Sequence, residues 1–194
     1  MPPKPKCTRE EITNAALGIV SRGGLDALTA KALGRAVNSS ATPIFTLFDS
    51  MQEVIGTVRE AAMARFESYA HKAGKDIPLF KQVGMQMILF AKEEPQLYRL
   101  IFMSENPEVT SFEEVLARLG TVAEECLTAI QRDYGLSAEA AMELFRHSWI
   151  HTFGIGTLCA TGMCDFSMEE ISRMLTQDFT AMMLLLKNGE EDRH

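Results

Sequence analysis

The sequence lacks a long hydrophobic run, a strand-like alternation, an internal repeat and a paired-cysteine framework. No apolar stretch among its 194 residues reaches the roughly 20 residues that a membrane helix needs, so no membrane span is expected. Residues 1–6 are basic and proline-rich, and no hydrophobic segment of the secretory-signal type follows them. Export is therefore not expected, and a cytoplasmic location is. The few cysteines, Cys7, Cys126, Cys159 and Cys164, show no framework spacing. In a non-secreted chain that pattern reads as reduced thiols. Neither a phosphate-cradling glycine loop nor a nucleophile–base–orienter set is visible, which speaks against an enzyme and against a bound cofactor.

What is present is helical periodicity and an uneven charge. The net charge is -7, which argues against wholesale coating of nucleic acid. Residues 1–48 nevertheless hold six basic groups (Lys4, Lys6, Arg9, Arg22, Lys31, Arg35) against three acidic ones (Glu10, Glu11, Asp26). A basic head on an acidic body fits a small DNA-reading module joined to a larger domain with another task.

Residues 29–48 are the most informative segment. Thr29 is placed to cap a short helix that runs to about Ala36 and turns Leu33 and Val37 inward. Val37, Asn38 and Ser39 make a turn, and Asn38 is one of the few non-glycine residues that tolerates a left-handed backbone. Ser40 then caps a second helix with Ile44, Leu47 and Phe48 on its apolar face. Two helices joined so tightly form a helix-turn-helix, whose second helix enters the major groove in the DNA-binding version. Upstream, Thr8 and Glu11 have capping-box spacing before a stripe of Ile12, Ala15, Ala16, Ile19 and Val20 that stops at Gly23-Gly24. Ser50 and Glu53 form a second box.

The remainder reads as helices throughout. One spans Ser50 to about Ala73, and Gly74 to Pro78 breaks it; the next runs to about Glu94, where Pro95 ends it or opens another. Ser111 and Glu114 box the start of a helix that continues through Leu119 and Ile130 to Gly135. Ser137 opens a long helix to about Cys159. Ser167 and Glu170 start the last one, with a frayed acidic tail expected after Lys187. Phe145 to Cys159 is apolar on nearly every face, so it needs cover on all sides. A second copy of the chain is the simplest cover, with Gly154 and Gly156 admitting a partner helix and the last helix completing a four-helix interface.

The chain resembles the TetR family of transcriptional regulators. The resemblance lies in Thr8-Arg9-Glu10-Glu11-Ile12, the alanine-rich first helix, Gly23-Gly24, Thr29, and the Ser40 to Phe48 segment followed by Asp49-Ser50. Phe90 to Met103 also resembles a pattern in one subgroup. Asn38 stands where the family turn usually has glycine, Phe45 where a tyrosine is usual, Leu47 at the second aromatic, and Met51 where a lysine usually sits. The resemblance implies an all-α fold of about nine helices. It places a three-helix DNA-binding domain at 1–49 with a basic arm, and a ligand-binding and dimerisation domain at 50–194. It also implies a homodimer on a palindromic operator, released by a small molecule.

Candidate DNA contacts are Lys4, Lys6, Thr29, Lys31, Arg35, Ser39, Ser40, Ala41, Thr42, Phe45 and Thr46. Lysine and arginine suit phosphates, hydroxyls suit base edges or phosphates, and Ala41 suits a thymine methyl. Met85, Phe90, Tyr98, Phe102, Met103, Phe112, Trp149 and Phe153 are candidates for lining a site for a largely apolar effector, although each taken singly reads more readily as plain core. His147 and His151 have a spacing that metals use, but no carboxylate joins them, so no metal is expected. Two rivals stay open: a dimeric ligand-binding protein with weakened DNA binding, and an enzyme using His147, His151 or a cysteine.

Overall fold

The computed structural model describes residues 7–38, 44–72, 77–104 and 111–191, and all regular structure among them is helical. The elements are α1 (Arg9–Gly23), α2 (Ala30–Ala36), α3 (Met51–Ala70), α4 (Leu79–Glu93), α5 (Pro95–Tyr98), α6 (Phe112–Leu119), α7 (Thr121–Tyr134), α8 (Ala138–Ala160) and α9 (Met168–Glu191). A 3-10 turn, Leu25–Ala27, follows α1, and a π-helical turn, Arg99–Met103, continues α5. No helix of the described residues is long and apolar enough to cross a membrane. The described residues form two compact units, one drawn from 1–66 and 94–104, the other from 67–93 and 105–194. The functional boundary expected at 49/50 lies inside the first unit.

In the first unit the local chemistry sets the helix ends. Thr8 and Glu11 make the reciprocal capping box, and Thr29 Oγ1 accepts from the Ala32 N–H at 3.1 Å. Asn38 has φ +51°, the left-handed turn residue expected there. Ile12, Ala16 and Val20 of α1 are fully buried with Leu33, Ile44, Phe48, Val54, Val58 and Ala62. Residues 39–43, the turn residue Ser39 and the first part of the segment expected to be the second helix of the motif, lie outside the described residues. Ile44 to Leu47 form a single turn, closed by the Phe48 N–H on the Ile44 carbonyl at 3.0 Å. The returning stretch 94–104 fills the unit. Phe102 meets Phe66 edge-on at 5.3 Å and Tyr98 at 5.0 Å, and the buried Glu94 carboxylate accepts from Ser21 Oγ at 2.8 Å and pairs with Arg65.

In the second unit α4 packs against α7, α8 and α9. Phe80 meets Phe145 at 5.7 Å. A Cβ on Gly84 would sit 3.5 Å from Thr152 Oγ1, and Ile88 clusters with Ile155, Ile171 and Leu175. Contacts that advance together along both helices mean that α4 and α8 run parallel. The Ser111 box forms as expected, Ser137 Oγ accepts from the Ala140 N–H at 3.2 Å, and the Ser167 amide donates to Glu170 at 2.8 Å. One expectation is corrected. The single helix from Ser111 to Gly135 is two, because Gly120 takes φ +53°, a region that residues with a side chain rarely adopt. Its N–H closes α6 on Leu116 and Ala117, and α7 restarts at Thr121. The last helix is assigned past Lys187, as far as Glu191.

Candidate nucleic-acid interface and ligand region

The head presents its cations from a helix whose other side is core. Leu33 and Gly34 are buried, while Thr29, Lys31 and Arg35 are exposed, the last two one turn apart on α2. The Thr29 hydroxyl is occupied as the helix cap. In the following segment Ile44 and Phe48 are buried, Phe45 is 45% exposed and Thr46 is exposed. The inward and outward faces therefore fall where apolar spacing puts them. Lys4, Lys6, Ser39, Ser40, Ala41 and Thr42 lie outside the described residues.

Arg9 is the residue that sequence reasoning passed over. Its guanidinium lies over the Phe48 ring, 4.1 Å from the centroid, donates to the Leu47 carbonyl and pairs with Glu53. It thereby ties α1 to the end of the 44–48 segment and to the first turn of α3. The second capping box is altered accordingly. Ser50 Oγ accepts from the Glu53 N–H at 3.2 Å, but the Glu53 carboxylate accepts from the Asp49 amide at 2.6 Å. The Arg9 hydrogen bond, then the Asp49 amide, hold the Glu53 carboxyl below its ordinary value. A depressed carboxyl contributes stability above the ordinary value near 4.5 and loses it as pH falls through the lower folded value. The melting temperature of the wild type is thus expected to fall more steeply below that pH than that of Arg9→Met. Circular dichroism melts from pH 3 to 7 check this, and parallel curves would contradict it.

The ligand candidates fall into separate packing groups. Trp149 stacks on Phe153 at 5.4 Å, with 7° between the rings, and Phe112 meets Trp149 edge-on at 5.8 Å. Arg146 lies over Phe112 at 5.3 Å. Met85 packs half-buried on the Ile88 cluster, and Phe90 is buried edge-on to Tyr69 at 5.2 Å. Tyr98, Phe102 and the 38% exposed Met103 belong to the first unit. The apolar reading missed two amides of α4. Gln82 is only 4% exposed, yet among the described residues its Nε2 has no hydrogen-bond partner, and neither has the buried Gln86 Oε1.

The other reactive side chains assemble no chemistry. His147 is exposed and His151 half-buried. Among the described residues no three metal-ligating side chains come together. Burial pushes the Cys126 thiol up to about 12 and also raises Cys159, the opposite of an activated thiolate.

On α8, Ile150 is 55% exposed, and among the described residues a Cβ on Gly154 would meet nothing within 4 Å. Gly156 is buried inside its own unit, so only Gly154 is placed to admit a partner helix. On α9, Leu184 and Leu185 are 58% and 65% exposed.

A family model, the tetracyclin repressor-like C-terminal domain, matches residues 80–182, more than half of the chain. An HTH-type transcriptional regulator of Mycobacterium tuberculosis is 26% identical over 196 residues, covering 97% of this chain and 84% of the relative. Two solved structures share the fold. A TetR-family protein of Vibrio parahaemolyticus aligns with TM-score 0.64 and 14% identity, covering 89% of this chain and 97% of its own. One of Mesorhizobium loti aligns with TM-score 0.56 and 18% identity, covering 92% and 98%.

Proposed function

The chain belongs to the TetR family of transcriptional regulators, and from that premise we propose that it is a homodimeric repressor released from a palindromic operator by a small, largely apolar ligand. Regulators of this family bind DNA and dimerise. The observation that carries the reading is the head itself, where a Thr29-capped helix shows Lys31 and Arg35 to solvent and Ile44 and Phe48 are buried beneath outward Phe45 and Thr46.

In this reading residues 1–49 are the DNA head and 50–194 the ligand-binding and dimerisation part. Lys4, Lys6, Lys31 and Arg35 hold phosphates, and Thr29 adds a contact beside its capping role. Ser39, Ser40, Ala41, Thr42, Phe45 and Thr46 meet the groove and its edges. The dimer is built from α8 and α9, and the effector binds near Trp149, with Phe112 and Phe153 in its cluster. The protein works in the cytoplasm and carries out no turnover.

Footprinting on DNA flanking its own gene tests the assignment. Lys31→Ala with Arg35→Ala is expected to weaken binding on every sequence. The log–log salt slope should flatten by about 0.9 for each phosphate contact removed, whereas Thr46→Ala should change base preference. A double variant with the wild-type slope would take the phosphate role away from α2.

A further inference from the structure

We propose that Gln82 and Gln86 form the polar end of a small-molecule site in the second unit, one that takes a neutral carboxamide or lactam. The inference names a ligand position on α4 apart from the Trp149 cluster, and it rests on the reading above that this part of the chain binds small molecules.

The two side chains are one turn apart on α4, the spacing at which amide side chains reach each other. Yet among the described residues the Gln82 Nε2 donor and the Gln86 Oε1 acceptor stand buried and unpaired. Gln82 is 4% exposed, so bulk water does not satisfy it. A buried donor or acceptor left unmade is expensive, and native proteins leave few of them. A complementary pair that is left open, one donor and one acceptor, matches a planar group carrying one of each. A carboxamide does: its carbonyl accepts from Gln82 and its N–H donates to Gln86. A carboxylate does not, since it has no donor for Gln86 and brings a charge into a buried place.

The side of α4 that bears this pair runs on to Phe90 and Glu93. Phe90 is fully buried, and Tyr69 packs on it edge-on at 5.2 Å while donating to Glu93 at 2.7 Å. Beyond the amide pair this side of α4 is apolar at Phe90, which suits a ligand with a neutral amide head and an apolar body. These residues lie away from Gly84, whose side of α4 is committed to Thr152 and Leu175.

Titration calorimetry on the full chain without DNA tests the proposal. The probes are the unbranched primary carboxamides from acetamide to octanamide, set against methyl ketones of equal length, which can only accept. At the best chain length the carboxamide is expected to bind about tenfold tighter, the worth of one net hydrogen bond. Gln82→Met and Gln86→Met should each erase that preference. Each should also raise the ligand-free melting temperature by about 2–4 °C by removing an orphan group. Equal affinity for the two series, no binding of either, or a preference that survives both variants overturns the proposal and leaves the amides to ordered water. A lowered ligand-free melting temperature in both variants overturns it as well, because paired amides would be implied. The outcome is independent of the operator assay: a chain that discriminates amides but protects no DNA keeps this site and loses the regulator reading.

Discussion

Ile150→Arg is expected to convert the dimer to monomers and to weaken operator binding by about 10²–10⁴-fold, the gain that linking two heads provides. Ile150 is 55% exposed on α8, one turn before Gly154, where an added Cβ meets nothing within 4 Å among the described residues. Leu184 and Leu185 project from α9 at 58% and 65% exposure. Large apolar side chains left outside a unit's own core, beside a glycine with open space, suit close packing of another helix. An arginine there would have to be buried without a partner, which a dimer interface of this kind does not tolerate. A single head then meets one half-site, and the second half-site, about 34–36 Å away, is no longer held by the same molecule. Sedimentation equilibrium gives the oligomeric state and footprinting the affinity. Gly154→Trp should act in the same direction, whereas Gly156 is buried in its own unit, so bulk at that position tests folding instead. A dimer that survives both Ile150→Arg and Gly154→Trp would move the interface off α8.

The parts of the fold that were legible are those written within a few residues of each other. The Thr8 and Ser111 boxes, the caps at Thr29 and Ser137, and the left-handed Asn38 are all present, because a cap needs only a hydroxyl and an amide three residues on. The inward set of the head followed from helical spacing for the same reason. Gly120 was not legible. The stripe through Leu116, Leu119 and Ala123 is continuous in sequence, and only the backbone angle shows that the helix restarts there. Arg9 reaches Leu47 and Glu53 across 38 and 44 residues, a separation that no local pattern encodes. Gln82 and Gln86 were passed over because a search for apolar lining discards amides, although a buried amide constrains a ligand more sharply than a methionine does. The aromatic candidates show the converse: type and spacing identified residues that pack on rings, but not which rings. Trp149 finds Phe153 and Phe112, while Tyr98 finds Phe102.

Arg65→Met is expected to destabilise the first unit by about 2–3 kcal/mol, below the usual cost of stripping a partner from a fully buried ion pair because this pair is partly solvated. The Glu94 side chain is 9% exposed and that of Arg65 44%, so the carboxylate is the member that cannot turn to water. Without the guanidinium it keeps, among the described residues, the Ser21 Oγ donor at 2.8 Å. Glu94 sits where α5 begins, with no side-chain cap bond of its own. It joins α1 through Ser21 and α3 through Arg65, so its charge is held at the meeting of three helices. Glu94→Gln removes the charge but keeps an oxygen for Ser21, and should cost less than Arg65→Met. Arg65→Met combined with Glu94→Leu removes both charges and should recover most of the loss, since a matched apolar pair often equals or exceeds a buried ion pair. Urea unfolding of the wild type, Arg65→Met, Glu94→Leu and the double variant closes the cycle, with Glu94→Gln measured beside it. A double variant as unstable as the sum of the single ones would show that the two side chains do not act on each other, and the stability of this junction would then rest on the Phe66–Phe102 and Tyr98–Phe102 ring contacts instead.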